Sequence, residues 1–212
     1  NHPGGADVFA YAHAILTQRA DVKIIVNKEL DLQPICDVII PKVSTQQVVK
    51  KVINAYDDGK VLVYNPEGRS SRYQDGEVKD LYWHPLFLKM SIKHNTPLVL
   101  FHVTGRNHWW FYRLARWREK CGITKPLEMF MHMRNIFYPP VKRIFICFAP
   151  PINVDMQQYV IQESGSSKDA AEVYRTYVYN TRCELSFEDW YVDTIMISEL
   201  VKLETNQKNI NL

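Results

Sequence analysis

The apolar positions change period repeatedly along the chain, and each change marks an element. Val8, Ala12 and Ile15 recur at helical spacing with Phe9 and Leu16 beside them, which predicts a three-turn helix ending near Arg19. DVKIIVN (21–27) reads as a buried strand, and ICDVIIPK (35–42) as another, closed by Pro41. STQQ (44–47) has the Ser-x-x-Gln form of a capping box. Val48, Val49, Val52, Ile53 and Tyr56 form the inner face of the helix it opens, and Gly59 is its stop. KVLVY (60–64) is a third strand, with NPEGRSSR leaving its carboxyl end. A helix over 83–94 and a strand TPLVLFHV (96–103) follow. Next come GRNHWWFYRLARWREK (105–120), a Pro-punctuated region, and the strand VKRIFICFA (141–149), stopped by Pro150-Pro151. Residues from 167 read as helical to the end.

Strands alternating with helices predict an α/β fold with a mostly parallel central sheet flanked by helices. A break near 150–165 divides a core, residues 1–152, from a helical C-terminal extension, 153–212, packed on that core.

Composition narrows the class. The chain has 212 residues, 46% of them apolar, and a net charge of +3. That is enough for a real core, and too mild a charge for wholesale nucleic-acid binding. Cys36, Cys121, Cys147 and Cys183 are widely spaced and form no C-x-x-C or metal-ligand pattern, so reduced thiols in a cytoplasmic setting are expected. No run of about 18 apolar residues exists to span a bilayer. The chain opens directly on a candidate motif, so a preceding segment is expected, and it could hold an anchor.

That motif is NHPGGAD. His2 and Asp7 are five apart and would not meet on one unbroken helix. Pro3, Gly4 and Gly5 let the chain turn back, so that Asp7, in the first helical turn, faces the imidazole. Asp7 could then hold one ring nitrogen as N–H and leave the other free to accept a proton. A helix-capping aspartate beside an incidental histidine would give the same letters.

The second motif is NPEGRSSR, at a strand's carboxyl end, where ligands sit in open α/β sheets. Arg69 and Arg72 are forks suited to phosphate or carboxylate, Ser70 and Ser71 supply hydroxyls, and Gly68 allows close backbone approach. A polar, solvated loop is the plainer reading.

Together the two motifs resemble those of the glycerolipid (lysophosphatidic acid/glycerol-3-phosphate) acyltransferase superfamily. That family carries Asn-His, four residues, Asp, and later a Phe-Pro-Glu-Gly-Thr-Arg type motif. Here Tyr64-Asn65 precede the proline and Arg69-Ser70 replace Thr-Arg. The ending Ser71-Arg72 is closer to the Phe-Pro-Ala-Gly-x-x-Ser-Arg form of the hemolysin-like branch, which includes ornithine-lipid O-acyltransferases. NKELDLQPICDVIIPK (27–42) and TPLVLFHVTGRNHWWFYRLA (96–115) resemble further blocks of that branch, so the resemblance covers 1–152.

The resemblance implies an O-acyltransferase that moves a fatty acyl group from acyl-CoA or acyl-carrier protein to a lysolipid hydroxyl. The acceptor would be lysophosphatidate-like or a lyso amino-acid lipid. His2 would be the general base, near its ordinary pKa of about 6.5, and Asp7 would orient it. A thioester is already activated, so no cofactor or metal is required. The resemblance assigns the acceptor's head group to Arg72 first, with Glu67, Gly68, Arg69 and Ser71 behind it. It places the protein at the cytoplasmic face of the cell membrane, peripheral or anchored through the segment before Asn1.

HWWFYRLARWREK (108–120) adds Trp and Arg in a pattern suited to a membrane surface, with Trp110, Leu114 and Trp117 on one side of a helix. Such stripes also pack cores. A serine hydrolase is disfavoured by the lack of a Gly-x-Ser-x-Gly elbow. A non-catalytic peripheral membrane module that binds lipid would leave NHPGGAD unexplained.

Overall fold

The computed structural model describes residues 6–27, 37–42, 45–68, 70–74, 76–104, 106–138 and 144–180. Helix α1 spans Ala6–Leu16, and strand β1, Val22–Asn27, follows. β2 is Ile39–Lys42, α2 is Thr45–Asp57, and β3 is Val61–Val63. A hairpin follows, with β4 at Arg72–Gln74 and β5 at Glu77–Lys79. Then come α3 (Leu86–Lys93), β6 (Phe101–Val103) and α4 (Trp109–Lys120). A 3-10 turn at Leu127–Met129 leads into α5, Phe130–Phe137. β7 (Ile146–Phe148), α6 (Val154–Ser164) and α7 (Ser167–Asn180) complete the described chain.

The three early strands form a parallel sheet in the order β2-β1-β3. Successive strand residues point to opposite faces, and here each face meets a helix. Val22, Ile24 and Val26 of β1 pack with Val8 and Tyr11 of α1. Ile25 packs with Val48, Val52 and Ala55 of α2 on the other side. Helix α2 thus buries part of the face read from its spacing, while Val49, Ile53 and Tyr56 stay half-buried. Gly59 follows with φ +67. Ser44, the capping-box serine, lies outside the described residues.

The parallel arrangement stops at β3. The segment read as a strand over 96–103 pairs antiparallel with β7, with His102 opposite Cys147, and a Leu98–Ile152 bridge extends that pairing. Alternation of apolar residues identifies a strand but not its partner. Cys147 is disulfide-bonded, which corrects the expectation of a reduced thiol there. Cys121 is a free, exposed thiol.

Helix α6 lies in the stretch read as a break. Asn153 caps it, its side chain accepting from the Met156 N–H at 2.9 Å, and Gly165 ends it at φ +80. Its inward face includes a fully buried Gln157, whose amide donates to the Ile152 and Thr96 carbonyls at 3.0 and 3.2 Å. A polar residue on the core side breaks the apolar period that sequence reading depends on. Val160 of α6 and Ala170, Val173, Tyr174 and Tyr177 of α7 share one core cluster with Trp83, Phe87 and Leu100. Among the described residues no helix is long and apolar enough to cross a membrane.

Candidate active site

β3 delivers the chain into a tight turn. The Gly68 N–H donates to the Asn65 carbonyl at 3.3 Å, with Pro66 and Glu67 at the corner. Gly68 has φ +64, a left-handed conformation that a Cβ disfavours. The Pro66 carbonyl accepts from the His84 N–H at 2.9 Å, which pins the turn to the start of α3.

The same turn is tied to α1. Asn65 Nδ2 donates to the Tyr11 hydroxyl at 3.0 Å and to the Ile25 carbonyl at 3.1 Å. Tyr11 is almost wholly buried. Asp7 lies in the first turn of α1, and its side chain is outside what is described. His2 and Arg69 lie outside the described residues.

After Gly68 the motif turns inward. Ser70 Oγ is 3.0 Å from His132 Nε2, and both residues are buried. Ser71, fully buried, donates to Asp80 Oδ1 at 2.6 Å, while Asp80 Oδ2 accepts from the Trp83 indole at 3.2 Å. Arg72 donates to the Ser70 carbonyl at 2.8 Å and to Glu128 Oε1 at 2.7 Å, and its guanidinium lies over the Phe111 ring at 5.1 Å. Glu128 is fully buried and also accepts from Arg118 Nε at 2.9 Å. Two guanidinia therefore share one carboxylate beneath the loop.

The residues read from sequence thus separate. Glu67 faces a cleft, Gly68 is exposed at the turn, and Ser71 and Arg72 brace the loop from inside. Of the bracing partners, Arg118 belongs to the HWWFYRLARWREK stretch whose arginines read as suited to a membrane surface, and it is instead buried against Glu128, while Asp80, Glu128 and His132 carry no signal in the sequence reading. Those three are single polar letters in loops and helices, and no spacing connects them, or Arg118, to the motif.

The cleft has a volume of about 510 Å³. Tyr11, Asn65 and Glu67 line it, together with Val61 and Val63 of β3, and it reaches Leu100 and Phe101 across from them. It follows the edge of β3 that no strand covers among the described residues. Tyr64, beside Asn65, donates to the Tyr56 hydroxyl at 3.4 Å. Burial pushes both phenols above their ordinary pKa, so both stay protonated near neutrality.

Helix α4 divides its aromatics. Phe111 is fully buried, along with Ala115 and Arg118. Trp110 and Trp117 are 51% and 53% exposed, with Leu114 half-buried between them.

The family model described as Acyltransferase matches residues 1–187, and the chain belongs to that family. The match runs past residue 152 and takes in α6 and α7. Among individual proteins, the chain is similar to a lyso-glycine lipid O-acyltransferase of Phocaeicola vulgatus. The identity is 34% over 137 residues, 61% of this chain and 49% of that protein. It is also similar to a lyso-glycine lipid O-acyltransferase of Bacteroides thetaiotaomicron, 32% identical over 161 residues, 72% of this chain and 58% of that protein. The chain therefore spans about half the length of these curated relatives. No solved structure matches.

Proposed function

We propose that this protein transfers a fatty acyl group from a thioester, acyl-CoA or acyl-carrier protein, to the hydroxyl of a lysolipid with an amino-acid head group. The observation that carries this reading is the bond between Tyr11 and Asn65, which joins the helix of the first motif to the turn of the second at an apolar cleft. Membership of the acyltransferase family supports the transfer chemistry. The names of the two relatives support a lyso-glycine-lipid-like acceptor.

In this reading the acyl chain lies in the cleft along β3. His2, oriented by Asp7, takes the proton from the acceptor hydroxyl as its oxygen attacks the thioester carbonyl. The C–O bond forms, the C–S bond breaks, and the leaving thiolate takes the proton from the imidazolium. Glu67 and Gly68, with Arg69, border the acceptor. Ser71 and Arg72 hold the turn in place. Trp110 and Trp117 rest on the membrane surface and bring the enzyme to its lipid.

The test uses purified protein with lyso-glycine lipid and an acyl thioester, the diacylated product being read by mass spectrometry. Wild type should form product, and His2→Ala should lower kcat by about 10²- to 10⁴-fold. Unchanged turnover in a folded His2→Ala protein would sink the base assignment. Lipid binding without any turnover would favour a non-catalytic lipid-binding module, the reading that the exposed tryptophans alone support.

A further inference from the structure

Helix α4 has three faces. Phe111, Ala115 and Arg118 are buried, and Trp110, Leu114 and Trp117 face outward. The third face, formed by Trp109, Tyr112, Arg113 and Arg116, lines a separate cavity of about 560 Å³. Arg106 and Tyr73 also line it, with Val78, Asn107 and His108. Tyr73 directly follows Arg72, so this cavity begins where the second motif ends.

Its chemistry differs from that of the cleft. Three guanidinia converge on it, and none of them has a carboxylate partner among the described residues. Two are held by stacking. Arg113 lies over the Trp109 and Trp110 rings at 5.1 and 5.4 Å, and Arg116 over Tyr73 at 5.6 Å. Tyr112 is anchored through its hydroxyl, which accepts from the Asn107 N–H at 2.9 Å. Forks fixed by flat rings suit an oxyanion carrying more than one acceptor oxygen, above all a phosphate. The size is that of a small-molecule site.

We propose that this cavity holds the phosphate end of the donor's phosphopantetheine arm, the group that CoA and acyl-carrier protein share. The inference rests on the acyltransferase reading and adds the donor's position to it. The acceptor named for the relatives has a glycine head group, whose single carboxylate does not call for three guanidinia. A thioester donor has its anionic end far from its reactive carbonyl. Glu67 of the cleft and Tyr73 of the cavity are six residues apart, at most about 20 Å along an extended chain. A pantetheine arm bridges a gap of that order, with the acyl chain continuing into the cleft.

The test measures binding and turnover separately, on the full chain. CoA, 4′-phosphopantetheine and pantetheine are titrated by calorimetry against wild type and an Arg113→Gln/Arg116→Gln variant, whose folding is checked by circular dichroism. Wild type should bind the two phosphorylated compounds at least tenfold more tightly than pantetheine. The variant should lose at least tenfold for them and nothing for pantetheine, and Arg113→Lys/Arg116→Lys should recover part of the loss. In turnover the variant should raise the KM for the donor and leave that for lysolipid unchanged. Parallel titration with holo-acyl-carrier protein separates the sources: weakening of both ligands marks the shared arm. Equal binding of CoA by wild type and the Gln variant overturns the inference while leaving acyl transfer intact. Phosphate-dependent binding without transfer would keep the cavity assignment and overturn the acyltransferase reading instead. Response of the carrier protein alone overturns it in favour of a protein-docking surface.

Discussion

Tyr11 and Asn65 lie 54 positions apart, and Asn65 Nδ2 donates to the Tyr11 hydroxyl at 3.0 Å while Oδ1 sits 3.2 Å from the same oxygen. This contact sets the distance between α1 and the turn after β3. Tyr11→Phe keeps the ring in the core and removes the tie. The lost hydrogen bond should cost about 1 kcal/mol of stability. The effect on turnover should be larger, on the order of ten- to a hundredfold, because small misplacements of reacting groups are costly. Urea unfolding alongside acyl-transfer kinetics checks both. A loss of turnover no greater than the loss of folded protein would mean that the contact serves stability alone.

The buried cluster under the loop makes a prediction about order. Glu128 is fully buried, and both arginines that donate to it are nearly so. Glu128→Ala removes the one buried carboxylate that both guanidinia share, leaving Arg118 with only the exposed Glu119 at 3.3 Å, and should cost about 3–5 kcal/mol. Arg72→Met should cost less, because Arg118 still satisfies the carboxylate. Denaturant midpoints rank the two variants, and the reverse ranking would show that Arg72 matters mainly through its contact with Phe111.

The sequence made the parallel sheet readable because its signal is local and strong. VKIIVN has apolar residues facing both ways, and a strand covered on both sides needs that pattern. The caps at Gly59 and the stop at Pro150-Pro151 are equally local. What escaped was non-local or polar. The antiparallel partner of β6 is fixed by a return of some forty residues, which no window detects. Helix α6 presents Gln157 to the core, so its inner face does not read as apolar. In the candidate site the motif letters were readable, but their division of labour was not. Glu67 and Arg72 are five residues apart, yet one lines the cleft while the other is bonded to Glu128. Only the path of the chain after Gly68 decides which residue faces a ligand.

Alkaline pH offers a test of the core. Burial raises the pKa of Tyr64, Tyr174 and Tyr179, and the carboxylate of Asp80 pushes Tyr179 up further. Below about pH 10, the ordinary tyrosine value, folded and unfolded chains hold these protons equally, and stability is unaffected. Above it the unfolded chain releases them and the native chain does not. The unfolded state then binds fewer protons, and stability falls as pH rises, by about 1.4 kcal/mol per pH unit for each such group. Tyrosinate absorbance and far-ultraviolet circular dichroism should therefore change together in a late phase above pH 10. Full ionisation of all twelve tyrosines with the fold intact would contradict this account of the core.

The cleft should also set acyl-chain length. Val99 lines it and is 43% exposed, so a larger side chain there fills space in the cleft without crowding the core. Val99→Trp should leave the unfolding midpoint within about 0.5 kcal/mol of wild type, as surface substitutions do. It should shorten the preferred acyl chain, raising the KM for long donors and sparing short ones. Each methylene denied burial weakens binding by about 0.8 kcal/mol, or roughly fourfold, so two excluded carbons should give about a fifteenfold change in preference. Competition between a long and a short donor in one reaction, with both products weighed by mass spectrometry, reads that ratio directly. An unchanged ratio in a stable variant would mean that the acyl chain lies elsewhere, while the assignments at His2 and Asp7 would stand on their own evidence.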